Sequence, residues 1–308
     1  MERIDGRFRK RLTRLLGLAV FGASLGFQTA FASEQKLLLL EQNASKRPLT
    51  EIVVNGERAS GLIDTGATIA LFDEKIFADD EAVLFDQEET RVLGIGGQRS
   101  YPIAELPRLS AGADTWTDVR VAVNTGNRFP VRHAILPLSL FEESIVDFDF
   151  RNDRVLLYDG RPKMVRRGRT SKINYVDSDG LIFVDIRING AKGRALIDTG
   201  ADISFVNLAF ANASKAKIDE VETHRIRGSD QSLQTASIYT FRNMRFAGSR
   251  ISKFAVPVLE TDLFAELGFV DEPMMLLGMD FLQHYRMQID RERKRISFVT
   301  YNFGDGRG

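Results

Sequence analysis

Two aspartates occupy the same seven-residue setting at positions 134 residues apart. One setting is Gly61-Leu62-Ile63-Asp64-Thr65-Gly66-Ala67 and the other is Ala195-Leu196-Ile197-Asp198-Thr199-Gly200-Ala201. In each, an apolar run ends in an acid, a hydroxyl and a glycine. If the two stretches meet about a two-fold axis, Asp64 and Asp198 come side by side, and two carboxylates in contact cannot both ionise. The pair then holds one proton. Its charged member can take a proton from water while its neutral member gives one to a carbonyl oxygen, which suffices to attack an amide. Gly66 and Gly200 allow a close approach of backbone, and the hydroxyls of Thr65 and Thr199 can bond to a neighbouring main chain.

The elements that must position these acids are themselves repeated. At the same offset, Glu51-Ile52-Val53-Val54-Asn55-Gly56 matches Asp185-Ile186-Arg187-Ile188-Asn189-Gly190, and Arg91-Val92-Leu93-Gly94 matches Arg225-Ile226-Arg227-Gly228. Later the offset becomes 141, where Ile135-Leu136-Pro137-Leu138 matches Leu276-Leu277-Gly278-Met279. The second unit has thus gained seven residues, which we place near Glu260 to Phe269 as a small helix. A period this long means duplicated domains, because solenoid repeats are much shorter.

Alternating patterns such as Val184, Ile186 and Ile188 against Asp185, Arg187 and Asn189 indicate half-buried strands. Asn55-Gly56 and Asn189-Gly190 are two-residue hairpin turns. Many short strands and few helical patterns predict an all-β fold. The expected domains are a lobe over 33–160, a basic linker over 161–180 and a second lobe over 181–308. The runs Lys36 to Leu40, Ile173 to Val176 and Ile296 to Val299 are expected to share one sheet under both lobes, since alone they would expose unpaired backbone.

The sequence resembles the retropepsin-like (clan AA) aspartic proteases, in a duplicated single-chain form related in plan to the pepsins. The likeness rests on LIDTGA in each unit, on Gly94-Ile95-Gly96-Gly97 thirty residues after Asp64, and on Leu276-Leu277-Gly278-Met279-Asp280-Phe281-Leu282. The resemblance implies two β-barrel lobes forming an intramolecular pseudo-dimer with a central cleft. It implies that Asp64 and Asp198 are catalytic, and that Thr65, Gly66, Thr199 and Gly200 support the loops. Gly94, Ile95, Gly96 and Gly97, with Gly228 in the second unit, would cover the substrate as flaps. The expected activity is that of an aspartic endopeptidase, with a peptide or protein as substrate, no cofactor and no metal. The contrasting expectation is a non-catalytic peptide-binding protein that retains the fold, which would not need an intact acid in both halves. Pro137 departs from the family's glycine, which Gly278 keeps. Ala67 and Ala201 offer no hydroxyl to stabilise a charged dyad, so the expected pH optimum is only mildly acidic.

Composition narrows the alternatives. The 308 residues are 44% hydrophobic and 27% charged, as in soluble globular proteins. Lys and Arg together number 42, and so do Asp and Glu. Six of the cations fall in the first 32 residues against Glu2 and Asp5, so the rest is net negative, which argues against a nucleic-acid partner. There is no cysteine, which excludes disulfides, thiolate catalysis and lipidation at cysteine. His133, His224 and His284 are scattered and do not suggest a zinc site. The basic stretch Arg7 to Arg14, the apolar stretch Leu15 to Phe27 and Ala30-Phe31-Ala32 together read as a secretory signal over 1–32, cleaved before Ser33. The expectation is therefore a periplasmic or secreted monomer with no stable membrane partner. An uncleaved signal would instead anchor it in the inner membrane.

Overall fold

The computed structural model describes residues 35–77, 84–94, 97–126, 129, 134–166, 168–227 and 233–301. The secretory-signal expectation, Ile95, Gly96 and Gly228 lie outside these residues. The chain is mostly strand, as the alternating patterns predict. It opens with β1 (Lys36–Leu39) and enters the first lobe through β2 (Leu49–Val54) and β3 (Glu57–Asp64). There follow β4 (Leu71–Asp73), β5 (Leu84–Gly94), β6 (Gly97–Ala111), β7 (Asp114–Asn124) and β8 (Ala134–Pro137). Then come β9 (Ile145–Asp149), β10 (Arg154–Tyr158) and β11 (Gly168–Asn174). The second lobe contains β12 (Val176–Ser178), β13 (Leu181–Ile188), β14 (Ala191–Ile197), β15 (Phe205–Val206) and helix α1 (Leu208–Ala213). It continues with β16 (Lys217–Arg227), β17 (Leu233–Phe246), β18 (Ser249–Val258), α2 (Asp262–Glu266), β19 (Met274–Leu277) and α3 (Met279–Leu282). The last strands are β20 (Arg286–Asp290) and β21 (Arg295–Tyr301).

Each lobe is a sheet closed on itself. In the first, the order β2-β3-β8-β4-β7-β6 is closed by pairing of β2 with β6. In the second, β13-β14-β19-β15-β18-β17 is closed in the same way by β13 with β17. The turns explain why the hairpins form here. Asn55 and Gly56 have φ of 48° and 101°, and Asn189 and Gly190 have 49° and 93°. Positive φ at both central residues matches the right-handed twist of the flanking strands and suits Asn-Gly. The Asn189 side chain also accepts from the amides of Arg242 and Asn243, at 2.9 and 3.1 Å, which ties this turn to β17.

The third sheet runs β1-β10-β9-β20-β21-β11 and takes strands from both halves of the chain. Its centre is the antiparallel pair β9–β20, which sets Phe148 opposite Met287 and Asp147 opposite Gln288. Phe148, Met287, Ile289 and Phe298 are fully buried beneath the lobes. Buried charge at this seam is paired. Arg286 donates from Nε and Nη2 to the two oxygens of Asp147 at 2.8 and 2.7 Å, and its Nη1 lies 3.3 Å from Asp149. Gln288 and the Tyr158 hydroxyl also donate to Asp147, at 2.9 and 3.1 Å. The expected common sheet thus includes Lys36 to Leu39, Ile173 and Ile296 to Val299. Val176 differs from expectation. It opens β12 and pairs with Phe183 of β13, so the chain passes from the shared sheet to the second barrel at Tyr175. The segment from 168 to 178 therefore consists largely of strand.

Candidate active site

The two acid loops sit at the ends of matching strands. β3 runs parallel to β8, with Ile63 opposite Leu136 and Asp64 opposite Pro137. β14 runs parallel to β19, with Ile197 opposite Leu277, and the Asp198 amide donates to the Leu277 carbonyl at 3.0 Å. Ile63, Leu136, Ile197 and Leu277 are all fully buried, so the strands that carry the acids are fixed by core packing.

The loops are cross-linked by their threonines. Thr65 Oγ1 donates to the Ile197 carbonyl at 2.7 Å and accepts from the Thr199 amide at 3.0 Å. Thr199 Oγ1 donates to the Ile63 carbonyl at 2.7 Å and accepts from the Thr65 amide at 3.1 Å. These four buried bonds satisfy backbone groups that the two strands leave unpaired as they end.

The glycines are required by the opposite acid. A Cβ on Gly200 would fall 2.2 Å from Asp64 Oδ2, and one on Gly66 would fall 2.7 Å from Asp198 Cγ. Both contacts are far below any allowed separation. The glycine amides are also donors. Gly66 donates to Asp64 Oδ1 at 2.7 Å, while Gly200 and Ala201 donate to Asp198 Oδ1 at 2.8 and 3.0 Å.

The carboxyls hydrogen-bond to each other. Burial pushes both upward from the ordinary carboxylate range, and the charge of Asp64 pushes Asp198 further, to well above it. The Gly66 amide and the nearby Arg47 cation oppose this rise at Asp64. The arrangement therefore favours one proton held between two carboxyls, the raised values belonging to the pair.

Behind the loops the two halves have diverged together. In the second lobe, Gly278 donates to Ser204 Oγ at 2.8 Å, and Ser204 donates to Asp280 at 2.6 Å. A Cβ at Gly278 would lie 2.8 Å from the Ala201 carbonyl oxygen, so glycine is required there. The corresponding positions in the first lobe hold Pro137, Ala70 and Ser139. Proline has no amide to donate, and alanine has no hydroxyl to receive it. Pro137 thus leaves no partner unsatisfied, and Asp64 keeps its place at the end of β3.

The dyad opens into a cleft of about 690 Å³ between the lobes. Its walls are apolar on both sides, with Ile69, Val92 and Ile135 from the first lobe and Ile203, Phe205 and Leu263 from the second. Gly94, at the end of β5, lines it as well. The hairpin of β5 and β6 reaches across to α2, which lies within the stretch assigned to the seven-residue gain. A Cβ on Gly97 would lie 3.0 Å from an Asp262 oxygen, and Gln98 donates to Glu266 at 2.9 Å. Leu93 packs against the second lobe's apolar cluster, which includes Leu263 and Phe264.

Three cations on the cleft wall were not anticipated as site residues. Arg47 Nε lies 2.8 Å from Asp202 of the other lobe, an ion pair aligned off the line of a hydrogen bond. Nothing in the linear sequence marks Arg47, because it precedes the repeated segment. Arg91 and Arg225 do carry a signal, since they occupy matching positions of the repeat and both line the cleft.

Two copies of one closed barrel, each bringing one acid to a common cleft, define a duplicated retropepsin-like protein. Comparison with family models matches residues 50–139 and 184–281 to the family described as aspartyl protease. The chain belongs to the aspartyl protease family, with one match in each half. A search of curated proteins found no match.

Proposed function

We propose that the protein is an exported aspartic endopeptidase, active as a single chain, in which Asp64 and Asp198 activate one water. The observation that carries this reading is the close approach of the two acid loops, clasped by Thr65 and Thr199, with Asp64 and Asp198 both lining an apolar cleft. In this scheme Asp64 takes a proton from water as the water oxygen attacks the amide carbon. Asp198 gives its proton to the carbonyl oxygen, producing a tetrahedral diol. As the carbon–nitrogen bond breaks, the proton gained by Asp64 passes to the departing amine and a diol proton returns to Asp198. The cycle ends in its initial charge state. Thr65, Gly66, Thr199 and Gly200 hold the carboxyls in contact. The assignment of Gly94, Ile95, Gly96, Gly97 and Gly228 to covering the bound peptide rests on the sequence resemblance. No cofactor or metal has a role in this scheme. Export rests on the N-terminal pattern before Ser33, and the single-chain reading rests on both acids being in one molecule.

The test is a mass-spectrometric cleavage map on a peptide library, with Asp64→Asn as control. Cuts made by the wild type and absent from the variant support the reading. No cleavage by the wild type, with peptide binding retained, would leave a non-catalytic peptide-binding protein. Specific activity that falls on dilution would overturn the single-chain reading.

A further inference from the structure

A second concavity, of about 700 Å³, lies on the second barrel and is lined by residues distinct from those of the dyad cleft. Four of its lining residues are cations on four adjacent strands, and the register sets each directly opposite the next. Lys192 of β14 faces Arg187 of β13, Arg187 faces Arg245 of β17, and Arg245 faces Arg250 of β18. All four are exposed. Among the described residues, none of their side chains makes an ion pair or hydrogen bond. One acid, Asp185, shares the groove.

Like charges directly opposite across strands destabilise a sheet, so the row calls for an explanation. The first lobe supplies a control within the same molecule. Its matching row, in identical register, is Arg58, Val53, Ser110 and Thr115. The one cation there is neutralised by Glu51 at 2.9 Å. The barrel therefore closes without a cation row, and the second lobe has acquired one although the chain beyond residue 32 is net negative.

We propose that this groove binds a linear acidic glycan carrying one carboxylate per sugar. Strand spacing sets the backbones that carry the cations about 4.8 Å apart, of the same order as the repeat of a uronate chain. Guanidinium groups match carboxylates in fork geometry. An extended acidic peptide presents same-side charges about 6.6 Å apart, two residues along. Condensed phosphates carry charge more densely than one per strand. Single-stranded nucleic acid is disfavoured because the groove's one aromatic residue, Phe246, is buried and cannot stack on bases. The groove is concave and its apolar lining residues are buried, which suits a chain better than a membrane surface.

The test measures binding of fluorescent oligogalacturonate to the full mature chain, with polyphosphate, oligothymidine, anionic vesicles and neutral dextran as competitors. The uronate oligomer should bind, weaken as salt rises, and resist competition by dextran. Transplanting the first lobe's residues, as Arg187→Val, Arg245→Ser and Arg250→Thr, should weaken binding by roughly tenfold or more. This variant should melt no lower than the wild type, since it removes like-charge contacts. Arg250→Glu alone provides a second variant, expected to weaken binding while leaving peptide cleavage unchanged. Unchanged uronate binding in both variants would overturn the proposal, as would stronger displacement by polyphosphate, oligothymidine or vesicles than by unlabelled uronate.

Discussion

Thr65 and Thr199 hold each other's loops in a reciprocal clasp. The hydroxyl of each accepts the other's backbone amide, at 3.0 and 3.1 Å, and each donates to the carbonyl preceding the opposite aspartate. Both threonines are buried, at 1% and 0% exposure, so water cannot replace these bonds. The distance between the two acids is therefore set by hydroxyls belonging to the opposite halves of the chain.

Thr199→Val should destabilise the protein by about 2–6 kcal/mol, because it strands a buried amide and a buried carbonyl at about 1–3 kcal/mol each. Thr199→Ser keeps the hydroxyl and should recover most of that loss. Chemical denaturation of the three proteins measures it. Equal stability of the Val and Ser variants would contradict the clasp.

Asp64→Asn and Asp198→Asn should each abolish cleavage, since either change removes the shared proton or its acceptor. Their effect on stability should be opposite in sign. Burial raises both acids in the folded state, so the dyad's favourable contribution is complete below the ordinary carboxylate range and is lost as pH rises through the folded values. Asp198→Asn should consequently melt higher than the wild type at neutral pH, with the gap closing towards about pH 4. A gap that widened on acidification would refute the raised values. Ala67→Ser with Ala201→Ser should move the activity profile towards acid.

Gly200→Ala should eliminate activity although it adds only a methyl group. The new Cβ would lie 2.2 Å from Asp64 Oδ2, and the carboxylate must leave the dyad to make room. Retention of even a tenth of wild-type kcat, about 1.4 kcal/mol of barrier, would show that the loop yields without separating the acids.

Arg286→Leu should cost about 3–5 kcal/mol, because it leaves Asp147 as a buried charge without its cation. Arg286→Leu combined with Asp147→Leu should be considerably less damaging. The double variant tests whether the seam between β9 and β20 depends on the charges themselves or on filling the same volume.

Arg91 and Arg225 line the cleft at matching positions of the two lobes, alongside its apolar residues. Peptides with apolar residues at the cut and an acid further out should be the better substrates. Arg91→Glu with Arg225→Glu should reverse the preference towards basic flanks, mainly through KM. A cleavage map unchanged in its flanking charges would remove these residues from specificity.

The duplication, both acids, the Asn-Gly hairpins and the all-β class are legible in the linear sequence, because each is a local pattern or a self-match at fixed spacing. Strand alternation follows from the pleat, and Asp-Thr-Gly after an apolar run needs no partner to be noticed. Contacts between distant residues decided the remainder. Pro137 looks like a defect until Ala70 is found to lack the hydroxyl that Ser204 offers Gly278. Val176 belongs to the second barrel because its partner is Phe183, a pairing that hydropathy does not encode. Arg47 becomes a cleft residue only when Asp202 of the other lobe comes within 2.8 Å. The four cations facing the outer groove lie in two separate hairpins, Arg187 with Lys192 and Arg245 with Arg250, and barrel closure between β13 and β17 sets them in one row. Local propensity acts over a few residues, whereas register and closure join segments many residues apart, so only the tertiary structure could bring these groups together.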